Sequence, residues 1–288
     1  MAAVLGTNIA SIWASKNLQN AQADMAGSVE RLSSGLRINR ARDDAAGLGI
    51  ANSLTQQINS SNQGIRNLND GISMVQTAEG ALSAASEMSQ RILTLATQGA
   101  NSNLSSDQRK AIGNEMKSLW ASIGKIESRT KFSGTSLLAN TTAITVQSSG
   151  LSADTISITT AAIQNIWIGS VTGNTAVSDM YTAVVTDAGG ASPTTAHMTA
   201  VMDKVDDYIT YLDTQRTTLG AIQNQMEFAV NNISELSANL TSARSRIVDT
   251  DYASETASLT KGQILQQAAT AMLAQANQMP NVILSLLK

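Results

Sequence analysis

The chain has 288 residues, a formal net charge of −3 and no cysteine, and only 14% of its residues are charged and 3% aromatic. This charge balance does not suit a nucleic-acid surface, and the lack of cysteine excludes disulfides, thiolate metal sites and cysteine nucleophiles. Because aromatic side chains supply much of the bulk of a compact core, the composition favours long helices with aliphatic stripes.

The N-terminal segment lacks the marks of a cleavable leader. No Lys or Arg precedes Lys16, so the charged start of a signal peptide is missing. No run of 18 apolar residues occurs, so no membrane-spanning helix is expected. The conventional inference is a cytosolic protein, and this inference fails if export uses an apparatus that does not read a cleavable leader.

The first predicted element is a helix within residues 1–42. Its apolar residues recur at helical spacing, and little else nearby in sequence could cover them. These candidates for burial against other copies are Ile9, Ile12, Leu18, Met25, Val29, Leu32 and Leu36, with Trp13 beside them.

From Leu54 the sequence predicts a long helix with a heptad seam, the pattern that lets one helix pack along another. The seam consists of Leu54, Ile58, Ile65, Leu68, Ile72, Val75, Leu82, Leu93 and Ala96, with Ser61 and Glu79 at skipped positions. A polar loop is expected over Asn101–Asp107, where Ser105, Ser106 or Asp107 could cap the next helix. That helix should bury one side, made of Ile112, Met116, Leu119, Ile123 and Ile126.

Helical periodicity is lost between about Lys131 and Ser192. Residues 143–147 and 155–159 alternate as strands do, with a turn containing Gly150 between them. Residues 169–190 are expected to form short strands and loops. A small β insertion is therefore predicted in the middle of the chain.

A second long helix is predicted to begin at Ser192–Pro193, with Ser as the N-cap and Pro at the first helical position. Its seam runs for about six heptads and has Gln215 as its polar member. The apolar members are Val201, Val205, Tyr208, Leu212, Leu219, Ile222, Met226, Ala229, Ile233, Leu236, Leu240, Ala243 and Ile247.

The C-terminal segment 249–288 is rich in Ala and Gln and mirrors the N-terminal one. Its candidates for burial between copies are Ile264, Leu265, Met272, Leu273, Val282, Leu284, Leu286 and Leu287. Two long seams around a β insertion predict a mainly α fold: a long antiparallel, coiled-coil-like rod with paired N- and C-terminal helices. Isolated terminal helices would bury too little apolar surface to offset the cost of ordering them. We therefore expect both tails to be disordered in a lone chain and helical in an open, head-to-tail polymer.

No constellation in the sequence supports catalysis, a metal or a cofactor. The single His197 is interpreted as a surface helix residue, and Asp249, Asp251 and Glu255 as charge that complements a helix dipole. Asp43 and Asp44 are interpreted in the same way, as a cap and a first turn. Nucleophile-elbow and zinc-protease motifs are missing, so we expect no enzyme.

Specific segments of the sequence resemble the bacterial flagellins. The stretch ERLSSGLRINRARDDAAGLGIAN (Glu30 to Asn52) is similar to their N-terminal signature, and ARSRIVDTDYASETASLTKGQILQQAATAMLAQANQMPNVILSLLK (Ala243 to Lys288) to their C-terminus. LGTNIAS near the start and KFSGTSLL (Lys131 to Leu138) fit as well. The resemblance covers about residues 1–160 and 199–288.

The resemblance implies a subunit of the flagellar filament used for swimming, without cofactor. It implies terminal helices in the filament core (D0-like, residues 1–43 and 249–288), a helical rod with a β-hairpin (D1-like, 44–160 and 199–248) and a short variable outer insertion (161–198). The segment Ser33–Asp44 would be the spoke between the first two. It also implies type III export, an extracellular filament, and as partners many copies of itself, cap and hook–filament junction proteins, and an export chaperone at the C-terminal region.

The resemblance further implies a recognition motif for Toll-like receptor 5 on one rod helix. The matching residues are Gln90, Arg91, Leu95, Ala96 and Gln98, with Glu115 as the partner acid on the next helix. Leu93 and Thr94 depart from the motif, because an Arg and a Glu are replaced. Arg91 supplies the charge-assisted donor that binding hot spots favour.

Two other functions remain open from the sequence. A hook–filament junction protein shares related terminal helices, although the near-complete C-terminal signature favours a flagellin. A secreted coiled-coil effector or adhesin would need an active site or a large outer domain, and neither is visible.

Overall fold

The computed structural model describes residues 7–139, 143–159, 163 and 193–286, of which 279–286 are described by their backbone alone. The elements are α1 (Ile9–Ser34), α2 (Ala45–Gly99), α3 (Ser106–Arg129), β1 (Lys131–Phe132), β2 (Thr135–Ser136), β3 (Ile144–Gln147), β4 (Thr155–Ile158), α4 (Thr195–Val248) and α5 (Tyr252–Leu286). The mainly α class with a β-hairpin insertion is confirmed. The strands and loops predicted over residues 169–190 lie outside the described residues.

The chain divides into two compact units, one of residues 1–58 with 238–288 and one of residues 59–237. In the first unit, α1 and α5 form an antiparallel pair. Asn8 caps α1 by accepting from the Ser11 amide (3.1 Å), and its amide group donates to the Ala276 carbonyl late in α5 (2.7 Å). At the other end of the pair, Arg31 meets Glu255 at 3.4 Å.

Gly35 ends α1 and begins a clasp between two connecting segments. Its φ of +72° is a left-handed conformation that favours glycine, and a Cβ there would lie 3.1 Å from the Tyr252 hydroxyl. The Gly35 carbonyl accepts from the Thr250 amide (3.0 Å), and the Arg37 amide donates to the Val248 carbonyl (2.6 Å). These bonds flank an isolated β-bridge between Leu36 and Asp249.

Asp43 and Asp44 organise the turn before α2, in line with the expected cap. The Asp44 carboxylate accepts from the Gly47 amide at 2.8 Å. The Asp43 carboxylate accepts from the amides of Arg40 (2.9 Å) and Asn39 (3.2 Å). The Arg40 hydrogen bond is the main reason why the pKa of Asp43 lies below its ordinary value.

The second unit packs α2, α3, α4 and the β3–β4 hairpin around one apolar core. On α2 the predicted positions Leu68, Val75, Leu82 and Ala96 are fully buried, whereas Ile65, Ile72 and Leu93 are only half-buried. The buried positions between them lie one residue earlier in each heptad and are mostly small: Gly64, Gly71, Ala78, Ala85, Ile92 and Gly99. At these positions the buried seam of α2 therefore lies one residue earlier than predicted, because the prediction followed the larger apolar residues beside it.

Three of these small residues allow close approaches that a side chain would block. A Cβ at Gly64 would overlap the backbone carbonyl of Ser148, next to the β3 strand. A Cβ at Gly71 would lie 2.9 Å from the sulfur of Met226, and one at Gly99 would lie 2.9 Å from that of Met198. The glycines of α2 are therefore as important to its packing as its apolar side chains, because they let neighbouring elements approach closely.

Ser105 is the residue that caps α3, one of the three alternatives open from the sequence. It forms a capping box with Gln108, which was not among the predicted features. Ile112, Met116 and Ile123 are buried as predicted, but Leu119 and Ile126 are only half-buried. Trp120 and Glu127 are buried in their place, and Trp120 meets Tyr208 edge to face at 5.4 Å.

The predicted start of the second long helix was wrong by two residues. Pro193 precedes the helix, and Thr194 provides the cap of α4. The seam is confirmed at Val201, Val205, Tyr208, Leu212, Leu219, Met226 and Ile233, all of which are buried. Leu236 departs from the seam, because it is 48% exposed. The remaining members are half-buried: Ile222, Ala229, Leu240, Ala243 and Ile247.

One polar interruption of the α2 seam, Glu79, lies opposite a charged residue of α4. Glu79 of α2 faces Arg216 of α4 at 3.9 Å, beside Gln215.

Burial is the main cause that raises the pKa of Tyr208, and burial likewise raises that of Tyr211 to about 12. In both cases the nearby Glu127 carboxylate adds to the shift, since a second negative charge would lie close to the first.

The predicted central hairpin is confirmed. Strands β3 and β4 are antiparallel, with Val146 opposite Ile156. A smaller hairpin of β1 and β2, which periodicity had not indicated, turns at Ser133 and Gly134, both with positive φ.

Candidate self-assembly surface

The faces that α1 and α5 turn towards each other are built mainly from small residues. On α1, Ala14, Ala21 and Ser28 are buried at intervals of seven. On α5, Gly262 and Ala276 are buried two heptads apart, with Ala269 half-buried between them. This set of six residues is called the small-residue seam below. Helices that meet through such side chains approach closely but remove little apolar area from water.

The larger apolar residues of both helices therefore divide into an inner and an outer group. Leu18, Met25 and Leu32 of α1 and Leu273 of α5 flank the seam and are half-buried, and Leu36 lies half-buried at the clasp. The outer group faces solvent: Ile9 (57% exposed), Ile12 (58%), Trp13 (60%), Val29 (50%), Ile264 (60%), Leu265 (47%) and Met272 (65%). The side chains of Val282, Leu284, Leu286 and Leu287 lie outside those described.

An isolated exposed apolar residue is ordinary, but seven on one helix pair indicate an interaction surface. Charged residues near them are few. Lys16 extends its ammonium group over the Trp13 ring, 5.7 Å from its centroid. The second unit also exposes apolar residues, notably Phe228 (75%) and Leu151 (72%), but these lie on different elements.

A polar cavity of about 480 Å³ lies beside the pair and is lined by α1, α5 and the turn before α2. Asp24, Arg42 and Lys261 line it together with the bonded pair Arg31 and Glu255. Charges of both signs therefore share the cavity. We assign it no ligand.

The receptor-recognition candidates fall into two groups. Gln90, Arg91, Gln98 and Glu115 are exposed, and Arg91 donates to Glu115 at 2.8 and 3.2 Å. Leu95 is only 2% exposed, so its inclusion as a contact residue was wrong. It packs in the core and positions the helix that carries Arg91.

Acidic residues near the start of α5 act as caps and ion-pair partners. Asp251 accepts from the amides of Ala253 (2.9 Å) and Ser254 (3.4 Å), and Glu255 pairs with Arg31. Among the described residues, no group of three or more His, Cys, Asp or Glu side chains could hold a metal ion. No helix in the described ranges is long and apolar enough to cross a membrane.

The small-residue seam could have been found in the sequence, because Ala14, Ala21 and Ser28 recur every seven residues. It was missed because seams are usually sought through large apolar residues, and here those residues lie beside or opposite the seam. Helices α1 and α5 meet through small residues and expose their large apolar ones. This arrangement is typical of one class of protein, helical structural subunits that associate with other chains.

Comparison with known proteins identifies the family. The model of the bacterial flagellin N-terminal helical region matches residues 5–143, and that of the C-terminal helical region matches residues 202–287. The chain is 36% identical to a flagellin of Bacillus subtilis, covering 98% of both proteins, and 38% identical to a flagellin of Halalkalibacterium halodurans, covering 94% of this chain and 93% of that one. It is 35% identical to the flagellar filament 33 kDa core protein of Treponema phagedenis, covering 99% and 100%.

A solved structure from Vibrio parahaemolyticus, provisionally described as a flagellar hook-associated protein, shares the fold with a TM-score of 0.61 at 16% identity, covering 72% of this chain and all of that one. The chain belongs to the bacterial flagellin family, whose members are structural subunits of the flagellar filament. The resemblance in its terminal signatures is thereby confirmed.

Proposed function

We propose that the outer apolar residues of α1 and α5 are the contacts through which copies of this chain polymerise into an extracellular flagellar filament. One observation carries the proposal: the pair buries its small residues internally and leaves Ile9, Ile12, Ile264 and Met272 at least 57% exposed. Neighbouring copies that cover these side chains would remove them from water. Full burial of one large aliphatic side chain contributes about 1.5–3 kcal/mol, and every added subunit gains this again.

The test is seeded growth of filaments from a purified, heat-dissociated chain. We expect Ile264→Ser to raise the critical concentration about tenfold, because an Ile that is 60% exposed in the single chain gains roughly 1–2 kcal/mol when covered. Electron microscopy of the unmodified chain should show long filaments growing from the seeds.

Ile264→Leu is the matched control, since it keeps the apolar surface and should change the critical concentration less than twofold. Equal critical concentrations for the Ser and Leu variants would contradict the proposal. Short oligomers that do not extend would instead favour the hook–filament junction function.

Further features of the proposal follow from membership of the family. The D0-like segments 1–43 and 249–288 would form the core, the D1-like segments 44–160 and 199–248 the surrounding rod, and 161–198 the outer insertion. Type III export, assembly under the cap, contact with junction proteins and a chaperone at the C-terminal region belong to the same proposal. The exposed apolar face of α5 supports the last, because such a face needs cover before assembly.

Recognition by Toll-like receptor 5 is proposed through Arg91 and Glu115. The pair crosses from α2 to α3 and remains 55% and 48% exposed, so its charges are accessible to a partner. Arg91→Ala should weaken receptor activation about tenfold, which corresponds to about 1.4 kcal/mol.

Arg66→Ala is the control, because Arg66 is exposed on the same helix and bonds only to Gln63 among the described residues. Receptor activation in a reporter-cell assay is the measurement. An Arg91→Ala chain as active as the Arg66→Ala chain would remove Arg91 from the recognition site.

A further inference from the structure

The only histidine in the sequence is part of the cap that begins α4. The Thr194 hydroxyl accepts from the His197 amide at 3.3 Å, and Nδ1 of His197 accepts from the Thr194 amide at 3.3 Å. The Thr194 carbonyl accepts from the Met198 amide at 3.2 Å. This is the reciprocal arrangement of a capping box, in which Glu or Gln ordinarily occupies the position of His197.

An imidazole can accept this hydrogen bond only when Nδ1 carries no proton. Histidine side chains take up a proton within the range pH 5 to 8, and both ring nitrogens are donors in the charged form. Protonation therefore removes the acceptor for the Thr194 amide. It also places a positive charge at a helix N-terminus, where the helix dipole disfavours it.

Among the residues that the structure describes, no carboxylate contact with His197 is recorded that could compensate this charge. The first turn of α4 contains no acidic residue, and its nearest charged side chains along the helix are Asp203 and Lys204. The last turn of α2 has no basic residue, and from α3 the Arg109 guanidinium donates to the carbonyls of Gly99 (3.2 Å) and Asn101 (3.1 Å). Arg109 is thus bonded to the carbonyls at the end of α2, the element against which Met198 packs.

The first turn also carries a core contact. Met198 directly follows His197, is fully buried and packs against Gly99 at the end of α2. If the cap opens, Met198 is held less firmly, and Met198 is the residue that packs the start of α4 against the end of α2.

We propose that His197 makes the first turn of α4 acid-sensitive: it is closed while the imidazole is neutral and frays when the imidazole is protonated. The hydrogen bond to Nδ1 exists only with the neutral imidazole, so its contribution to the stability of this turn is lost on acidification. The proposal concerns a local opening within residues 59–237 and is independent of the assembly surface on α1 and α5.

Amide hydrogen exchange of the dissociated full chain, followed by NMR, tests it. Protection of the His197 and Met198 amides, corrected for intrinsic exchange, should fall about fivefold between pH 7.5 and pH 5, as expected for a cap worth about 1 kcal/mol. Because the chain has one histidine, its ring proton signal gives the titration midpoint directly, and the two midpoints should coincide.

Two substitutions sharpen the result. His197→Gln keeps a side-chain acceptor that does not titrate, so protection should stay high at both pH values. His197→Ala removes the acceptor, so protection should be low at both. The proposal is overturned if protection in the unmodified chain does not change with pH, or if the Gln variant loses protection on acidification as the unmodified chain does.

Discussion

Glycines of α2 fall into two groups that differ in what surrounds their Cα atoms. Gly64 and Gly71 lie against the hairpin strand β3 and α4, where a Cβ would meet backbone or core side chains. Gly80 is exposed, and a Cβ there would have nothing within 4 Å. All three weaken the helix intrinsically, but only the first two are required by packing.

Gly64→Ala should lower the free energy of unfolding by about 2 kcal/mol or more, because the new methyl group overlaps the Ser148 carbonyl, a backbone group that cannot rotate away. Gly80→Ala should raise it by up to about 1 kcal/mol through helix propensity alone. Chemical denaturation of the dissociated chain measures both. If the two substitutions had the same sign, the close approach at Gly64 would not govern stability.

The helices of this chain pack against one another through two kinds of contact. In the second unit large apolar residues of α2, α3 and α4 interlock with small ones. Between α1 and α5 the small-residue seam sets the approach, and at Gly262 a Cβ would lie 3.5 Å from Cβ of Met25. That space accepts a methyl group but not a larger side chain.

Gly262→Leu should therefore separate α1 from α5, whereas Gly27→Leu, on α1 where a Cβ meets nothing within 4 Å, should not. Both changes improve helix propensity by nearly the same amount, about 1 kcal/mol, so their difference reports the seam. Circular dichroism of the dissociated chain should show more helix for Gly27→Leu and less for Gly262→Leu. Identical gains in helix would show that the seam contributes nothing in solution.

The two units of the molecule differ in how much apolar surface they bury within one chain. The second unit has a contiguous core of fully buried aliphatic and aromatic residues. The first relies on the small-residue seam, the clasp and a few hydrogen bonds, although the structure holds α1 and α5 as paired helices rather than as the disordered tails expected from sequence. Ordering one residue costs roughly 1–2 kcal/mol of backbone entropy, so a pair with so little apolar burial should open often.

Amides of α1 and α5 should accordingly exchange rapidly in the dissociated chain and slowly in filaments, whereas those at the centres of α2 and α4 should be protected in both. Hydrogen exchange with mass spectrometry on the two states measures this. Equal protection of α1 and α5 in both states would mean that the pair is secured without neighbours.

The sequence predicted the features that depend on contrast between large apolar and polar residues. The seam of α4 as far as Ile233, the β3–β4 hairpin and the caps at Asp44 and Ser105 follow from such contrast or from turn and cap chemistry. The positions of Gly64, Gly71 and the small-residue seam could not be derived in this way, because a missing side chain gives no hydrophobic signal. Leu236 shows the reverse case: its heptad position predicted burial, yet it is 48% exposed, because periodicity does not reveal which apolar residue lacks a packing partner.

Phe132 and Phe228 are the only phenylalanines in the chain, and they lie in opposite environments: Phe132 is packed half-buried against the core of the second unit, and Phe228 is 75% exposed on α4. Uniform incorporation of fluorophenylalanine would thus give a two-line fluorine spectrum. One line would monitor the integrity of the core, and the other would shift only when something covers the α4 surface. Phe228 would thus report on the α4 surface, and Phe132 would serve as the internal reference for the fold.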